Sequence, residues 1–330
     1  MPGNYHHGIR LSGLPHRNHS GRQPCITGEK KKNRSRGLKR GQAEKVYGWA
    51  FISPSLLLLL TFCIIPVVIG IFYGFCKYNG TSPAKWIGLK NYAKLFKDDS
   101  VMAAFRNTLK YIVICVPALT VIPMIIAEVL AKKFPNRLGE FFRGIYFIPC
   151  VCSASLVSNI WYYIFMADSD SLANVVLSFF GIAPQSWLNN KLSAFLVICF
   201  VFVWKNFGYF LVIYYAAIMD ISRNIYEAAA TDGASLLQQF WYITVPNLKT
   251  TAYLVLTMAT IWSFQLFDIS YSMTGGGPAN ATNTLTLEIY DEFTKWKLGY
   301  SSAIAMLLTF MVLVVTVIQR LAFREKVRED

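Results

Sequence analysis

Six stretches of this chain are long and apolar enough to cross a bilayer, and that requirement limits the fold more than any other feature. A helix needs about 20 residues to cross ~30 Å of hydrocarbon, where its backbone N–H and C=O groups find no partners except one another. The stretches run over about 49–76, 111–131, 144–167, 192–219, 250–273 and 299–318. The first carries no charge and is interrupted by Pro54 and Pro66; Glu128 stands near the end of the second, Lys205 near the middle of the fourth and Asp268 near the end of the fifth. Tyr47, Trp49, Tyr73, Tyr111 and Tyr300 fall at the expected span ends, where amphipathic rings sit at headgroup level. The expectation is an all-α integral membrane protein, a six-helix transmembrane bundle.

Charge placement sets the orientation. The net charge of +14 could suggest a nucleic-acid partner, but 11 of the 32 Lys and Arg residues lie in residues 1–46, with only Glu29 and Glu44 against them. No aromatic residues interleave with the block Lys30–Lys45, so it reads as an orientation determinant touching anionic membrane lipid, and no nucleic acid is expected. With the N-terminus in the cytoplasm, 21 basic residues fall inside and 10 outside, which favours both termini inside. Without the tail the two sides are equal. The tail 1–45 is expected to be disordered, since residues 1–28 are rich in Gly, His, Pro and Arg without apolar periodicity. A cleaved signal peptide would share this layout, but the first apolar run is too long and lacks a small-residue cleavage site. The six-span domain is then 46–325, with a cytoplasmic end at 326–330.

With 54% hydrophobic and 15% charged positions, the chain is too apolar for an ordinary soluble enzyme. All four histidines (His6, His7, His16, His19) lie in the tail, so neither a His-based triad nor a His-liganded metal is expected in the membrane body. The cysteines fall mostly inside apolar runs without metal-site spacing. There is no G-x-x-x-x-G-K-[ST] loop to cradle phosphate. No catalytic residue, cofactor or metal site is expected.

The segment 220–249 between the fourth and fifth spans reads as two short helices joined by a turn. Ile221, Ile225 and Ala229 recur at helical spacing, and Gly233 can take the left-handed conformation that ends the first helix. Ser235-Leu-Leu-Gln238 is a capping box for the second, and Pro246 closes the unit before the fifth span. Glu227-Ala228-Ala229, Asp232-Gly233-Ala234 and Ile243-Thr-Val-Pro246 resemble, at the family spacing, the EAA loop of the permease subunits of binding-protein-dependent ABC importers. The resemblance extends over Trp204-Lys205, Gly208 and Met219-Asp220-Ile221, then Thr274 to Pro278, Ile289-Tyr290 and Gly299 to Ala303. These flanks are similar to the carbohydrate-uptake branch, in particular the larger partner of a heterodimeric sugar permease. The likeness covers about 45–325 and is strongest from 200 to 305; it departs at Ser222, where the family commonly has Pro, and at Thr231, where it commonly has Ile. Ser222 can still cap a helix start.

The resemblance implies a non-catalytic subunit of a bacterial inner-membrane importer. The first helix of the loop would dock on a dimer of ATP-binding subunits through Glu227, Ala228, Ala229, Asp232, Gly233 and Ala234. A second permease subunit would complete a heterodimer, and an extracytoplasmic solute-binding protein would deliver a sugar substrate. An ion-coupled secondary transporter is the competing class, on Glu128, Lys205 and Asp268; a polyol or glycerol phosphate is the competing cargo.

Polar groups at membrane depth mark the substrate path. The candidates are Asn159, Asn206, Phe264, Gln265, Asp268 and Tyr271. Thr257, Thr260, Phe264, Asp268 and Tyr271 advance by threes and fours, which would lay one polar and aromatic stripe along a single face of the fifth helix. Such a stripe suits a sugar, and equally suits hydrogen bonds between helices. Lys205 is read as structural, pairing with a carboxylate. The segment after Thr274 reads as a re-entrant or surface helix near the outer mouth, or as a plain connection.

Overall fold

The computed structural model describes residue 45 and residues 47–134 and 137–323. Apart from Lys45, the expectations for the tail 1–45 and the end 326–330 lie outside the described residues. In chain order the elements are α1 (Tyr47–Gly74), β1 (Cys76–Lys77), β2 (Lys85–Trp86), α2 (Lys90–Leu95), α3 (Asp99–Lys133), α4 (Arg137–Val151), α5 (Ala154–Ile164), α6 (Leu172–Ser178) and α7 (Lys191–Met219). There follow α8 (Arg223–Thr231), α9 (Leu236–Gln239), α10 (Lys249–Phe264), α11 (Asp268–Thr274), α12 (Leu285–Thr294) and α13 (Leu298–Phe323). The two strands pair antiparallel, Cys76 opposite Trp86. Among the described residues five helical runs are long and apolar enough to span, namely α1, α3, α7, α13 and the run Lys249–Thr274 that takes in α10 and α11; α4 with α5 makes a sixth if the bent pair is one span.

The chain divides into two units, Met1–Ile65 and Pro66–Asp330. The described part of the first is a helical run from Tyr47 with a π-turn at Leu60–Ile64, closed by the Ile65 N–H on the Leu60 carbonyl. None of its described residues is buried, and its large apolar side chains, Phe51, Leu57 and Phe62 among them, are exposed. A helix apolar all round belongs in lipid or against protein.

The second unit is built on α3 and α7. Asp98 starts α3 by accepting the Ser100 N–H at 3.2 Å, and Lys132 and Lys133 in its last turn complement the helix dipole. The helix thus begins 12 residues before the expected second span, since its first turns are polar but fully helical. Tyr111 is therefore no interfacial anchor: it is wholly buried in mid-helix and stacks on Phe195 at 4.5 Å. Tyr300, also expected at a membrane surface, is buried in a second core cluster with Phe264, Leu285 and Ile304. α3 and α7 run parallel, since Asn107 and Lys110 share a groove with Lys191 at one end and Lys132 shares another with Ile218 at the other.

The expected third span is not one straight helix. α4 and α5 meet at 98°. Pro149 removes one backbone donor near the end of α4, and Ser153 (φ −55°, ψ 134°) leaves the helical region before α5 begins. The fifth span is broken too, α10 ending at Phe264 and α11 starting at Asp268 after Phe267 (φ −128°, ψ −64°). The polar and aromatic stripe expected along that span is consequently not continuous.

α4 approaches α7 backbone to backbone at Gly208, where a Cβ would collide with the Tyr146 carbonyl. Gly208→Val is expected to force the two helices apart at a cost on the order of 1–3 kcal/mol. Thermal melting of the purified protein in detergent checks this, with a lowered midpoint as the expected result.

Candidate functional site

Both helix breaks leave carbonyl groups without their intrahelical partners, and side chains take them up. Lys205, in mid-α7, donates to the Cys150 carbonyl at 3.4 Å, rather than pairing with a carboxylate. Thr286 donates to the Phe264 carbonyl at 3.0 Å and Thr284 to the Leu266 carbonyl at 2.9 Å. Broken helices at membrane depth are tolerated where the freed backbone is satisfied or lines a cavity, and here both conditions hold. A cavity of about 180 Å³ lies where the breaks meet α7, lined among others by Ala154, Lys205, Asn206, Trp262, Gln265 and Asp268.

Of the six residues expected on the substrate path, the cavity brings together Asn206, Gln265 and Asp268. The other three lie elsewhere. Phe264 is wholly buried in the second core cluster. Asn159 is exposed and turned back on its own helix, donating to the Ser155 carbonyl at 2.9 Å. Tyr271 is not in the lining but stacks on Phe267, which is, and meets Tyr290 edge-on, each at 5.3 Å. Thr260 is buried and accepts from the Gln319 side chain at 2.7 Å, a helix-to-helix contact.

At the other end of α3 and α7 stands the hairpin. α8 ends in a Schellman motif, with the Gly233 N–H on the Ala230 carbonyl at 3.1 Å and the Ala234 N–H on the Ala229 carbonyl at 2.9 Å. Gly233 has φ +82°, the left-handed conformation expected of it, and a Cβ there would meet nothing within 4 Å. Both bonds of the Ser235–Gln238 capping box are present. Ser222 holds the N-cap position of α8, but its side chain makes no capping bond, so that departure from the family pattern leaves the helix start uncapped. Glu227, Ala228, Asp232 and Gly233 are exposed, while Ala229 and Ala234 are half-buried. The second arm continues from α9 through a π-turn at Phe240–Thr244 into Val245–Asn247.

The hairpin is fixed by a polar network that the sequence reading did not assemble. The Tyr226 hydroxyl lies 2.8 Å from Thr244 Oγ1, which donates to Glu128 Oε1 at 2.9 Å. Glu128 also pairs with Lys132 at 2.6 Å. Burial pushes the Tyr226 phenol above its ordinary pKa; the bond to Thr244 opposes this and the Glu128 charge adds to it. The i,i+4 spacing of Glu128 and Lys132 is legible in sequence, but not its meeting with Thr244, 116 residues away.

The segment after Thr274 holds a helix where one is expected, α12, and is more than a plain connection. A buried polar loop leads into that helix, with Thr282, Asn283 and Thr284 all buried. Asn107 of α3 donates to the carbonyls of Asn280 (2.6 Å) and Asn283 (3.1 Å), and Ser270 of α11 donates to that of Thr282 at 2.7 Å. Beyond it, burial pushes the Glu292 carboxyl up in pKa, but hydrogen bonds from Lys297 (2.9 Å) and Lys295 (3.0 Å) outweigh this and hold it below the ordinary value. α3 thus carries the loop at one end and the hairpin at the other; its 35 residues span about 50 Å.

Residues 104–327 match the family described as "Binding-protein-dependent transport system inner membrane component". The relative named "Probable ABC transporter permease protein YurN", of Bacillus subtilis, is 34% identical over 85% of this chain and 97% of its own length. The lactose transport system permease protein LacF of Rhizobium radiobacter is 32% identical over 85% of this chain and 95% of its own. Among solved structures, a bacterial alginate ABC transporter in complex with an alginate pentasaccharide-bound periplasmic protein has a chain that superposes with a TM-score of 0.76 at 20% identity, covering 87% of this chain and 97% of that one. That likeness shows the shared permease fold. By the family match and by relatives of this identity and coverage, the chain belongs to the binding-protein-dependent transport system inner membrane components, the permease subunits of ABC transporters.

Proposed function

We propose that this permease subunit carries a sugar or oligosaccharide through the membrane in an ATP-driven importer. Its hairpin is the joint to the ATP-hydrolysing subunits. The observation that carries the reading is the hairpin itself: α8 has no buried residue, is capped at its far end by a Schellman turn, and keeps open space at Gly233. An exposed, rigid helix at one end of a membrane frame suits a surface that receives force from a partner. Glu227, Ala228, Ala229, Asp232, Gly233 and Ala234 form the docking strip. The positive-inside count puts this end, with both chain termini, in the cytoplasm.

The cargo class rests on the lactose permease relative and on the chemistry of the cavity. Asn206, Gln265, Asp268 and Lys205 offer both donors and acceptors, and Phe202, Trp262 and Phe267 offer aromatic faces. Sugar hydroxyls take the former and C–H faces the latter. A second permease subunit covers the apolar surface left along α13 by Phe310, Leu313 and Val317, and a solute-binding protein delivers the sugar from outside. Family membership leaves no place for the ion-coupled carrier.

Gly233→Asp adds bulk and charge in the space kept open at the turn. It is expected to leave the permease in the membrane but to lower co-purifying ATPase and transport at least tenfold. Gly233→Ala adds only the left-handed strain, about 1–2 kcal/mol, and is expected to retain the ATPase. An Asp variant with normal stoichiometry and transport contradicts the docking strip.

The cavity and the buried aromatic core predict opposite outcomes for neighbouring residues. Asp268→Asn and Gln265→Ala are expected to reduce transport several-fold in a complex that assembles normally. Phe264→Ala opens a core cavity at about 3–5 kcal/mol and is expected to reduce the amount of assembled complex instead. Transport normalised to complex recovered by affinity purification separates the two.

A further inference from the structure

Tyr226 carries the side-chain bond from α8 to the second arm of the hairpin, and the chain of bonds it starts ends on α3. Thr244 is wholly buried, and its single hydroxyl proton goes to Glu128 Oε1. The Tyr226 hydroxyl must therefore donate to Thr244, giving a directed chain from Tyr226 through Thr244 to the Glu128 carboxylate. Lys132, one turn on from Glu128, closes the network. Its ammonium lies 4.5 Å above the Tyr226 ring and 3.4 Å from Gln239 Oε1. Gln239 in turn donates to the Ala234 carbonyl, just past the turn, at 3.1 Å. Two residues of α3 thereby hold α8, the turn and the second arm at once.

Glu128 is the centre of this arrangement and is 6% exposed. Both of its donors, Lys132 and Thr244, sit on Oε1. Its other oxygen, Oε2, is buried with no hydrogen-bond partner. A buried acceptor left idle is costly, whereas an acceptor beside an occupied one lets a hydroxyl chain move across the carboxylate without losing its bond. We propose that Glu128 is a positioning residue for coupling: it makes hairpin and α3 respond together, and Oε2 receives the Tyr226–Thr244 chain when the hairpin is displaced. α3 packs along α7 and α10, whose residues line the cavity, so a load taken up at Glu128 reaches that site through continuous helix contacts. The inference rests on the docking reading of α8.

The test uses the assembled complex, with native cysteines replaced and a single reporter, Ala154→Cys, in the cavity wall. Its thiol-labelling rate is measured without nucleotide and after trapping with ATP and vanadate. In the otherwise unchanged complex, trapping is expected to alter the rate at least threefold. Glu128→Gln keeps the side-chain shape but removes the charge and places an NH₂ donor on one side. It is expected to retain the ATPase and hydrolyse ATP within twofold of the parent while the reporter ceases to respond. A merely structural role would reduce the yield of complex and leave the response intact in what survives. An unchanged response in Glu128→Gln overturns the proposal. Should that variant fail to assemble, Thr244→Ser and Thr244→Val decide: the hydroxyl-bearing Ser is expected to keep the response and Val to lose it, and equal behaviour overturns the proposal. Failure of the docking reading shows separately, as a parent complex whose reporter ignores nucleotide, or as Gly233→Asp retaining its ATPase.

Discussion

A backbone carbonyl stripped of its partner inside hydrocarbon costs several kcal/mol, and where this chain meets that cost determines where it can work. The carbonyls of Cys150, Phe264 and Leu266, freed at two helix breaks, are taken by Lys205, Thr286 and Thr284. The breaks therefore persist at depth, and a polar cavity opens between them. Lys205 is best understood through this bond: an ammonium on a long stem reaches a carbonyl that no helix neighbour can satisfy. Thr284 and Thr286 lie at the start of α12, so the buried loop before that helix is part of what keeps the fifth span broken.

The ends of the molecule are linked by rigid elements of different kinds. α3 joins the buried loop, held by Asn107, to the hairpin, held by Glu128 and Lys132. α7 runs beside it through the cavity wall, and Gly208 lets α4 seat directly on its backbone. Interiors packed this closely transmit displacement instead of absorbing it. In the proposed importer, this frame is what ties the hairpin to the cavity.

Much of this was legible in the sequence, and the parts that were not share a cause. The hairpin could be read residue by residue because its signals are local: Gly233 at the turn, Ser235 and Gln238 three apart, Pro246 beyond. The apolar runs located the spans for the same reason. What local reading could not supply was register between distant segments. The stripe from Thr257 to Tyr271 assumed an unbroken helix, and the break after Phe264 depends on hydroxyls some 20 residues later in the chain. Tyr111 looked like a span end because its helix begins in polar residues, and Phe264 looked like a ligand because its burial is set by α12 and α13. In sequence Glu128 is only a charge near a span end and Thr244 only one position of Ile243-Thr-Val-Pro246; their partnership appears when the fold brings them together.

The central claim is that α8 is the surface through which an ATPase acts on this permease. A photo-reactive amino acid placed at Ala230, an exposed position on α8, and irradiated in intact cells tests it most directly. The account predicts a cross-link to the ATP-binding subunit, abolished when Gly233 is changed to Asp. A cross-link to an extracytoplasmic protein, or none to the ATPase in a complex that transports normally, would contradict it.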